Sequence, residues 1–195
     1  MTISSNSIKE VRLHGRGGQG AFFAATLTAE IVTLSGYYPQ AFPFFGAERR
    51  GAPVMAFLRY SKNPLMPRNR VYHPNCAVAF DAELPSQLIL QGLQKDGPII
   101  INGSGAVLKS WKRLAEGKPL YGIDASNIAA DQGLLASGIP IISTIMVGAL
   151  VRVMELADLH TMLEGMRGKF PQKEESNLIG AERGFREVEE VKNNA

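Results

Sequence analysis

Apolar and polar residues alternate over residues 8–14, and this period of two is typical of a β-strand with one buried face. The pattern changes over residues 21–34, which are rich in alanine and leucine at helical spacing and end before Gly36, a common helix stop. A second short strand is predicted at residues 37–42. The order strand, glycine-containing loop, helix, strand predicts the opening of a wound parallel sheet.

The rest of the chain continues this alternation of strands and helices. Further strands are predicted at residues 54–60, 76–80, 98–101 and 120–123, and further helices at residues 83–93, 126–136 and 141–156. Residues 43–53 are predicted to form a loop, and residues 61–70 a surface turn region. The short apolar runs at 76–80 and 98–101 lack alternation, which is typical of parallel strands covered on both faces.

Residues 173–192 are polar, but their apolar positions fall on one stripe of a helix. This stripe consists of Leu178, Ala181, Phe185 and Val188. We therefore predict an α/β fold with a wound, mostly parallel sheet flanked by helices and an amphipathic C-terminal helix. Residues 1–195 are predicted to be one domain, with a core over about 8–157 and a helical extension over about 158–195.

Composition narrows the classes of function. The single cysteine, Cys76, excludes an intrachain disulfide and an iron–sulfur cluster held by this chain's cysteines. The net charge of +3 is small and the basic residues are dispersed, so no nucleic-acid partner is predicted. The apolar run 139–150 is too short to span a bilayer, and residues 1–10 lack the apolar segment of a signal peptide. We expect a cytoplasmic protein without a membrane partner.

A glycine loop lies between the first predicted strand and helix. It is formed by Gly15, Arg16, Gly17, Gly18, Gln19 and Gly20 and fits the pattern G-x-G-x-x-G. Glycines there let backbone N–H groups approach an anion, and the helix N-terminus adds positive potential. A P-loop would continue with lysine, whereas Gly20 is followed by Ala21. A dinucleotide site would need an acidic residue after the second strand, and none lies between Glu30 and Glu48.

Three interpretations of the glycine loop remain open. It could form a self-contained dinucleotide site, or a tight turn that only packs the helix on the strand. It could also face a phosphate-bearing ligand that is shared with another subunit. Arg16, inside the loop, could contact an anion or form a salt bridge.

A charged cluster follows the second predicted strand. It consists of Glu48, Arg49, Arg50 and Gly51. Guanidinium groups suit phosphate or carboxylate, but an ion pair with Glu48 explains the cluster equally well. Since loops beyond strand ends converge on one rim of a wound sheet, this cluster and the glycine loop are predicted to form one electropositive lip.

Other candidate residues have simpler structural interpretations. His14 and His73 could act in proton transfer, but His14 ends a buried strand and is expected to be a hydrogen-bonded core residue. Asp81 could bind a ligand at the sheet edge or cap the next helix. Cys76 opens a buried strand and is expected to be inert. No catalytic residue and no metal-ligand spacing is identified.

Two motifs carry a family resemblance. Residues 13–20 read LHGRGGQG and residues 40–55 read QAFPFFGAERRGAPVM. Together they resemble the gamma subunit, or gamma domain, of pyruvate:ferredoxin oxidoreductases and related 2-oxoacid oxidoreductases. A weaker likeness continues through CAVAFDAEL, IIING and GIPIISTIMVGAL, so that roughly residues 8–150 are covered.

The resemblance implies an oxidative decarboxylation of a 2-oxoacid to an acyl-CoA. In this family the chemistry uses thiamine diphosphate with magnesium, and electrons pass to 4Fe-4S clusters. These cofactors belong to partner subunits, a thiamine-diphosphate-binding chain and a ferredoxin-like chain. The gamma part is expected to bind no cofactor by itself, to be inactive alone, and to contact CoA at the catalytic interface.

Two departures from the family pattern leave the 2-oxoacid open. Residues 143–146 read Ser-Thr-Ile-Met where many relatives have Asn-Thr-Ala-Met, and Phe22 and Phe23 stand where relatives usually carry small residues. Pyruvate and an aryl 2-oxoacid such as phenylglyoxylate are both candidates. A free-standing nucleotide-binding protein and a purely structural assembly subunit are the alternative functions.

Overall fold

The computed structural model describes residues 8–44, 51–64, 69–115 and 117–192. The strands are β1 (Lys9–Arg16), β2 (Tyr38–Phe44), β3 (Pro53–Ser61), β4 (Cys76–Ala79), β5 (Ile99–Asn102), β6 (Leu120–Ile123), β7 (Leu135–Ala136), β8 (Ile139–Pro140) and β9 (Glu189–Glu190). The helices are α1 (Ala21–Leu34), α2 (Ser86–Leu90), α3 (Gly105–Leu114), α4 (Ala125–Asp131), α5 (Ser143–Val153), α6 (Leu159–Met166) and α7 (Glu174–Glu187).

Seven strands form the main sheet in the order β2-β3-β1-β4-β5-β6-β9. The four strands β1, β4, β5 and β6 run parallel to one another in its centre. Strands β2 and β3 at one edge and β9 at the other form the antiparallel pairs. The predicted α/β class, with a mostly parallel central sheet and a C-terminal helix, is confirmed.

The sequence had suggested that the second strand extends the parallel sheet directly. It does not. Strand β3 lies between β1 and β2 and is antiparallel to both. The connection from Phe44 to Pro53 is short. A parallel neighbour would need a crossover of about a dozen residues or more, so the chain returns as an antiparallel partner.

The helices cover the two faces of the sheet unequally. On one face α1, α4, α5, α6 and α7 bury a large core that includes Val11 and Leu13 of β1 and Val78 of β4. On the other face α2 and α3 cover a smaller core around Ile99, Ile101 and Leu120. No helix in the described part of the chain is long and apolar enough to cross a membrane.

Several predicted elements have different bounds, for local reasons. Residues 83 and 84 belong to a turn held by Asp81, so α2 starts only after Pro85. The helix predicted at 126–136 stops at Asp131, and residues 135–140 form the hairpin β7–β8. Its two turn residues, Ser137 and Gly138, have φ of 51° and 78°, as a type I′ turn requires. Helix α3 was not predicted from the sequence. Helix α6 lies within the helical extension predicted over about 158–195, and β9 lies where the C-terminal helix was predicted to continue to residue 192.

Candidate functional site

The glycine loop lies at the carboxyl end of β1, as predicted. Gly15 and Arg16 are the last residues of β1, and α1 begins at Ala21. Gly18 and Gly20 have φ of 98° and 80°, which is the left-handed region that favours glycine. A Cβ atom at Gly20 would lie 3.1 Å from the Cβ of Ser143, the first residue of α5. The loop therefore brings the N-termini of α1 and α5 together at one rim of the sheet.

Hydrogen bonds within the chain use several of the loop's backbone donors. The Arg16 N–H donates to Gln19 Oε1 at 2.7 Å, and the Gln19 N–H donates to the Arg16 carbonyl at 3.0 Å. The Gly17 N–H donates to the Ala52 carbonyl at 2.9 Å. These donors hold the loop's shape and are not free for a ligand, so an anion at this rim would rely on the start of α1 and on side chains.

A second segment is hydrogen-bonded to the glycine loop. The Gly51 N–H donates to the Gly17 carbonyl at 3.2 Å, and Arg16 Nη1 donates to the Gly51 carbonyl at 3.4 Å. Gly51 belongs to the predicted charged cluster, so this member lies against the loop. Glu48, Arg49 and Arg50, the other members, lie outside the described residues.

Arg16 forms an ion pair with Asp81. Its Nε donates to Asp81 Oδ2, while Asp81 Oδ1 accepts a hydrogen bond from the Glu83 N–H at 2.8 Å. The side chain of Arg16 is 35% exposed and that of Asp81 is 15% exposed. Asp81 therefore orients the guanidinium of Arg16 at the rim and also fixes the turn before α2. Of the two roles predicted for Arg16, the structure therefore contains the salt bridge, and the side chain is still partly exposed to solvent.

His14 lies behind this rim and is fully covered. Its Nε2 accepts a hydrogen bond from Arg12 Nε at 2.9 Å, and the residue is 2% exposed. Burial, and then the neighbouring charge of Arg12, lower the pKa of His14 to about 3. His14 is thus a neutral acceptor over the physiological range and not a proton shuttle, in agreement with the core role expected from its position.

Cys76 and His73 are the other candidate residues of a reactive type. Burial raises the pKa of the Cys76 thiol, and the side chain is fully enclosed, which fits the expected inert role. His73 is exposed. The part of the chain that the structure describes contains no group of three or more His, Cys, Asp or Glu residues that could hold a metal ion.

Asn102 is a rim residue that the sequence reasoning missed. It ends β5, and its Nδ2 donates to the Phe80 carbonyl and to Ser126 Oγ, each at 3.1 Å. Its Oδ1 is buried and has no hydrogen-bond partner among the described residues. A polar residue directly after an apolar strand was the available signal, because binding residues concentrate at the carboxyl ends of parallel strands.

Residues 10–187 match the family model described as pyruvate ferredoxin/flavodoxin oxidoreductase. A relative from Methanothermobacter thermautotrophicus, pyruvate synthase subunit PorC, is 38% identical over 187 residues, which are 95% of this chain and 98% of the relative.

Two solved structures share the fold. Pyruvate oxidoreductase subunit PORC from Thermotoga maritima superposes with a TM-score of 0.79 at 31% identity, covering 95% of this chain and 99% of that one. The 2-oxoglutarate:ferredoxin oxidoreductase from Magnetococcus marinus, solved with 2-oxoglutarate, coenzyme A and succinyl-CoA bound, superposes with a TM-score of 0.70 at 18% identity. The match covers 95% of this chain and 32% of that one.

Proposed function

Because this chain belongs to the pyruvate ferredoxin/flavodoxin oxidoreductase family and is a gamma-type subunit of a 2-oxoacid oxidoreductase, we propose that its complex converts a 2-oxoacid to an acyl-CoA with thiamine diphosphate and iron–sulfur clusters. A cluster of the 4Fe-4S type needs four cysteine ligands, and this chain has one cysteine. The clusters therefore belong to another chain. As the family resemblance implies, we assign them to a ferredoxin-like chain, and thiamine diphosphate and magnesium to a thiamine-diphosphate-binding chain. The gamma chain is inactive alone.

The part of this chain that faces the chemistry is the glycine-loop rim, on the side where CoA enters. The proposed site comprises Gly15, Arg16, Gly17, Gly18, Gln19, Gly20, Glu48, Arg49 and Arg50. The glycines and Gln19 shape the loop, and the start of α1 and the arginine side chains would supply the donors. Two observations support this role: the first turn of α1 has no acidic residue, and Arg16 is held at the rim by Asp81. A helix N-terminus and a guanidinium together favour a phosphate group. The Magnetococcus marinus enzyme with the same fold carries CoA.

The gamma fold alone does not identify the 2-oxoacid. The same fold occurs in a pyruvate oxidoreductase subunit and in a 2-oxoglutarate enzyme, and these two substrates differ in size and in charge. Pyruvate and aryl 2-oxoacids such as phenylglyoxylate remain the candidates for this complex.

Residues 1–195 act as one gamma-type domain in this proposal. The helical extension over about 158–195 is tied to the core over about 8–157 by α7, which packs along α5. We place the complex in the cytoplasm, where the thiol of CoA stays reduced.

The CoA contact is tested by Arg16→Ala in the assembled complex. Loss of a charge-assisted contact should weaken binding by roughly 1.5–3 kcal/mol, so the apparent CoA constant should rise about 10- to 150-fold while kcat changes little. Arg49→Ala should act in the same direction. The measurement is initial rate against CoA concentration at saturating 2-oxoacid.

Arg113→Ala is the matched control, because it removes the same charge from an exposed position on α3. Its CoA constant should equal that of the unchanged complex. A normal CoA dependence in an assembled Arg16→Ala complex would show that Arg16 does not contact CoA. Failure of that variant to assemble would instead assign Arg16 and Asp81 to the interface between subunits.

A further inference from the structure

The turn that carries Asp81 is fixed at several points, and we call residues 80–83 the Asp81 turn. It connects the end of β4 to the segment before α2. The Phe80 N–H donates to the His14 carbonyl at 2.8 Å, which ties the start of the turn to β1. Asp81 Oδ1 closes the turn by accepting a backbone N–H within it, and Oδ2 accepts the hydrogen bond from Arg16.

Trp111 anchors the Asp81 turn from one face of the sheet. It lies on α3, is 3% exposed and belongs to the smaller core. Its indole Nε1 donates to the Ala82 carbonyl at 3.0 Å. Because a buried indole N–H without a partner is unfavourable, this bond fixes the Ala82 carbonyl against the ring, directly after Asp81 in the chain.

Asn102 anchors the same turn from the opposite face. It lies two residues after Ile100, whose side chain is in the larger core, so its side chain points to that face. Its Nδ2 donates to the Phe80 carbonyl and to Ser126 Oγ of α4, each at 3.1 Å. The Phe80 carbonyl belongs to the peptide group that precedes Asp81. Asn102 therefore holds the backbone directly before the carboxylate.

The ion pair with Asp81 leaves part of the Arg16 guanidinium available to a ligand. Its Nε donates to Asp81, and its Nη1 donates to the Gly51 carbonyl at 3.4 Å. Among the residues that the structure describes, none accepts a hydrogen bond from Nη2. Since the side chain is 35% exposed, the two N–H groups of Nη2 can contact an anion while the ion pair stays intact.

We propose that Trp111 and Asn102 are positioning residues for the Arg16 guanidinium. They act through the Asp81 turn, which they hold from the two faces of the sheet, and not by contact with CoA. This inference rests on the proposed function, in which Arg16 contacts CoA. A guanidinium that is held in place before CoA binds loses less conformational freedom on binding, so the two anchors strengthen CoA binding without taking part in the chemistry.

The positioning is measured in the purified gamma chain as hydrogen exchange of the Arg16 Nε–H, by nuclear magnetic resonance. The signal is identified by its loss in Arg16→Ala. Trp111→Phe keeps a large apolar ring but removes the indole N–H, so exchange should become about 3- to 10-fold faster, which corresponds to one neutral hydrogen bond. Asn102→Ala removes the other anchor and should act in the same direction.

In the assembled complex, Trp111→Phe should raise the apparent CoA constant by about 3- to 10-fold and leave kcat unchanged. The double variant with Arg16→Ala separates positioning from a loss of stability. Without a guanidinium to position, Trp111→Phe should cause no further rise of the CoA constant. The measurement is initial rate against CoA concentration at equal amounts of assembled complex.

Ile99→Val is the matched control. Ile99 is fully buried in the same core as Trp111, but it lies at the start of β5, at the end of the strand away from the rim. Removing a methylene group there lowers stability, which thermal unfolding of each gamma chain shows. It should leave both the exchange of the Arg16 Nε–H and the CoA constant unchanged.

Each other outcome overturns a defined statement. Unchanged Arg16 exchange in folded Trp111→Phe and Asn102→Ala chains would overturn the inference, and Asn102→Ala decides alone if Trp111→Phe does not fold. An equal rise of the CoA constant in Ile99→Val, or a further rise in the Arg16→Ala background, would assign the effect to core stability.

Faster exchange with an unchanged CoA constant in Trp111→Phe, while Arg16→Ala raises that constant, would show that the anchors do not serve CoA binding. That result would overturn the inference and leave the proposed function intact. A normal CoA constant in assembled Arg16→Ala would instead remove the CoA contact from the proposed function, and the exchange measurement would still decide whether Trp111 and Asn102 hold Arg16 in place.

Discussion

Arg12 is a buried residue whose guanidinium caps a helix. The residue is 4% exposed, and its Nη2 donates to the carbonyls of Ile89 at 3.1 Å and Gln91 at 2.6 Å, at the end of α2. Its Nε donates to His14. A cation suits the carbonyl end of a helix, because unpaired carbonyls and the helix dipole stabilise it. Burial, with the charge of Arg70, still lowers the pKa of Arg12 to about 10.

The pair of Arg12 and His14 makes stability depend on pH. Folded His14 has a pKa of about 3, because protonation would bury a second cation and remove the acceptor at Nε2. Unfolded histidine has a pKa of about 6.5 and takes up the proton first. The unfolded state therefore binds more protons below about pH 6.5, and the free energy of unfolding falls as pH falls. The limiting slope is about 1.4 kcal/mol per pH unit.

We expect His14→Gln to flatten this dependence between about pH 6.5 and 5, where ordinary carboxyl groups titrate little. Glutamine keeps an acceptor for Arg12 without a titrating ring. The measurement is urea unfolding of the purified chain at several pH values. His160→Gln, at an exposed position of α6, should leave the slope as it is. The same slope in His14→Gln would show that another group binds the proton.

The sequence predicted residue positions better than residue partners. It placed the glycine loop at a strand end, because a period change from two to helical spacing is local information. It offered two roles for Asp81, a ligand-binding residue at the sheet edge and a cap of the next helix, whereas Asp81 holds the turn before α2. It could not join Asp81 to Arg16, since 65 residues separate them. The burial of Asn102 Oδ1 could not be predicted either, because the residues around the Asn102 side chain lie at the end of β4 and in α4.

At the scale of elements, α5 and α7 pack with their backbones in close approach. A Cβ atom at Gly148 would lie 2.0 Å from the Ala181 carbonyl oxygen, and one at Gly184 would lie 2.1 Å from the Ile145 carbonyl oxygen. Thr144 Oγ1 also donates to Asn177 Oδ1 at 3.2 Å across the same contact. The C-terminal helix is therefore held by glycines as well as by its predicted apolar stripe.

We expect Gly184→Ala to destabilise the chain by about 1–3 kcal/mol or more, because the added methyl group meets a backbone oxygen that only a shift of a whole helix can relieve. Alanine would otherwise stabilise a helix by about 1 kcal/mol. The measurement is the urea midpoint of unfolding at constant slope.

Gly165→Ala on α6 is the control for this substitution. Its Cβ would lie 3.1 Å from Ile31 Cγ1, 3.2 Å from Leu34 Cδ1 and 3.3 Å from Ile31 Cα, so the neighbouring atoms need to shift by far less than at Gly184. That variant should lose much less stability than Gly184→Ala. Equal losses in the two variants would mean that the close backbone approach of α5 and α7 does not set the stability.

Elements that are delimited by local sequence patterns were predicted well. Elements that depend on a turn or on pairing with a distant strand were not. Helix α1 and strand β6 have the predicted bounds, because glycine or proline and clear periodicity delimit them. Strand β7 was predicted as the end of a helix, since residues 134–136 are good helix formers, but the turn at Ser137 and Gly138 decides the conformation. Strand β9 forms by pairing with β6, and no local sequence pattern predicts this pairing.

At the scale of the whole molecule, the proposed functional site lies at one rim of the sheet. The parallel strands β1, β4, β5 and β6 direct their carboxyl ends to that rim, where the glycine loop, Asp81 and Asn102 lie. The antiparallel pairs at the edges of the sheet follow from short connections. The order of the elements along the sequence did not by itself predict these pairs. In the proposed function this architecture positions the CoA-side residues, and electron transfer is assigned to other chains because this chain has a single cysteine.

We expect the purified gamma chain to show no 2-oxoacid-dependent reduction of an electron-accepting dye in the presence of CoA, thiamine diphosphate and magnesium. Cys76 is enclosed and cannot anchor a four-cysteine cluster, so electrons from a decarboxylated substrate would have no carrier. Iron analysis of the chain should give less than one iron per molecule, whereas the complete complex, assayed in parallel, should contain iron and reduce the dye. Adding the gamma chain to the remaining subunits should restore activity that those subunits lack alone. Dye reduction by the gamma chain without partners would place the redox chemistry on this polypeptide and contradict the division of labour between subunits.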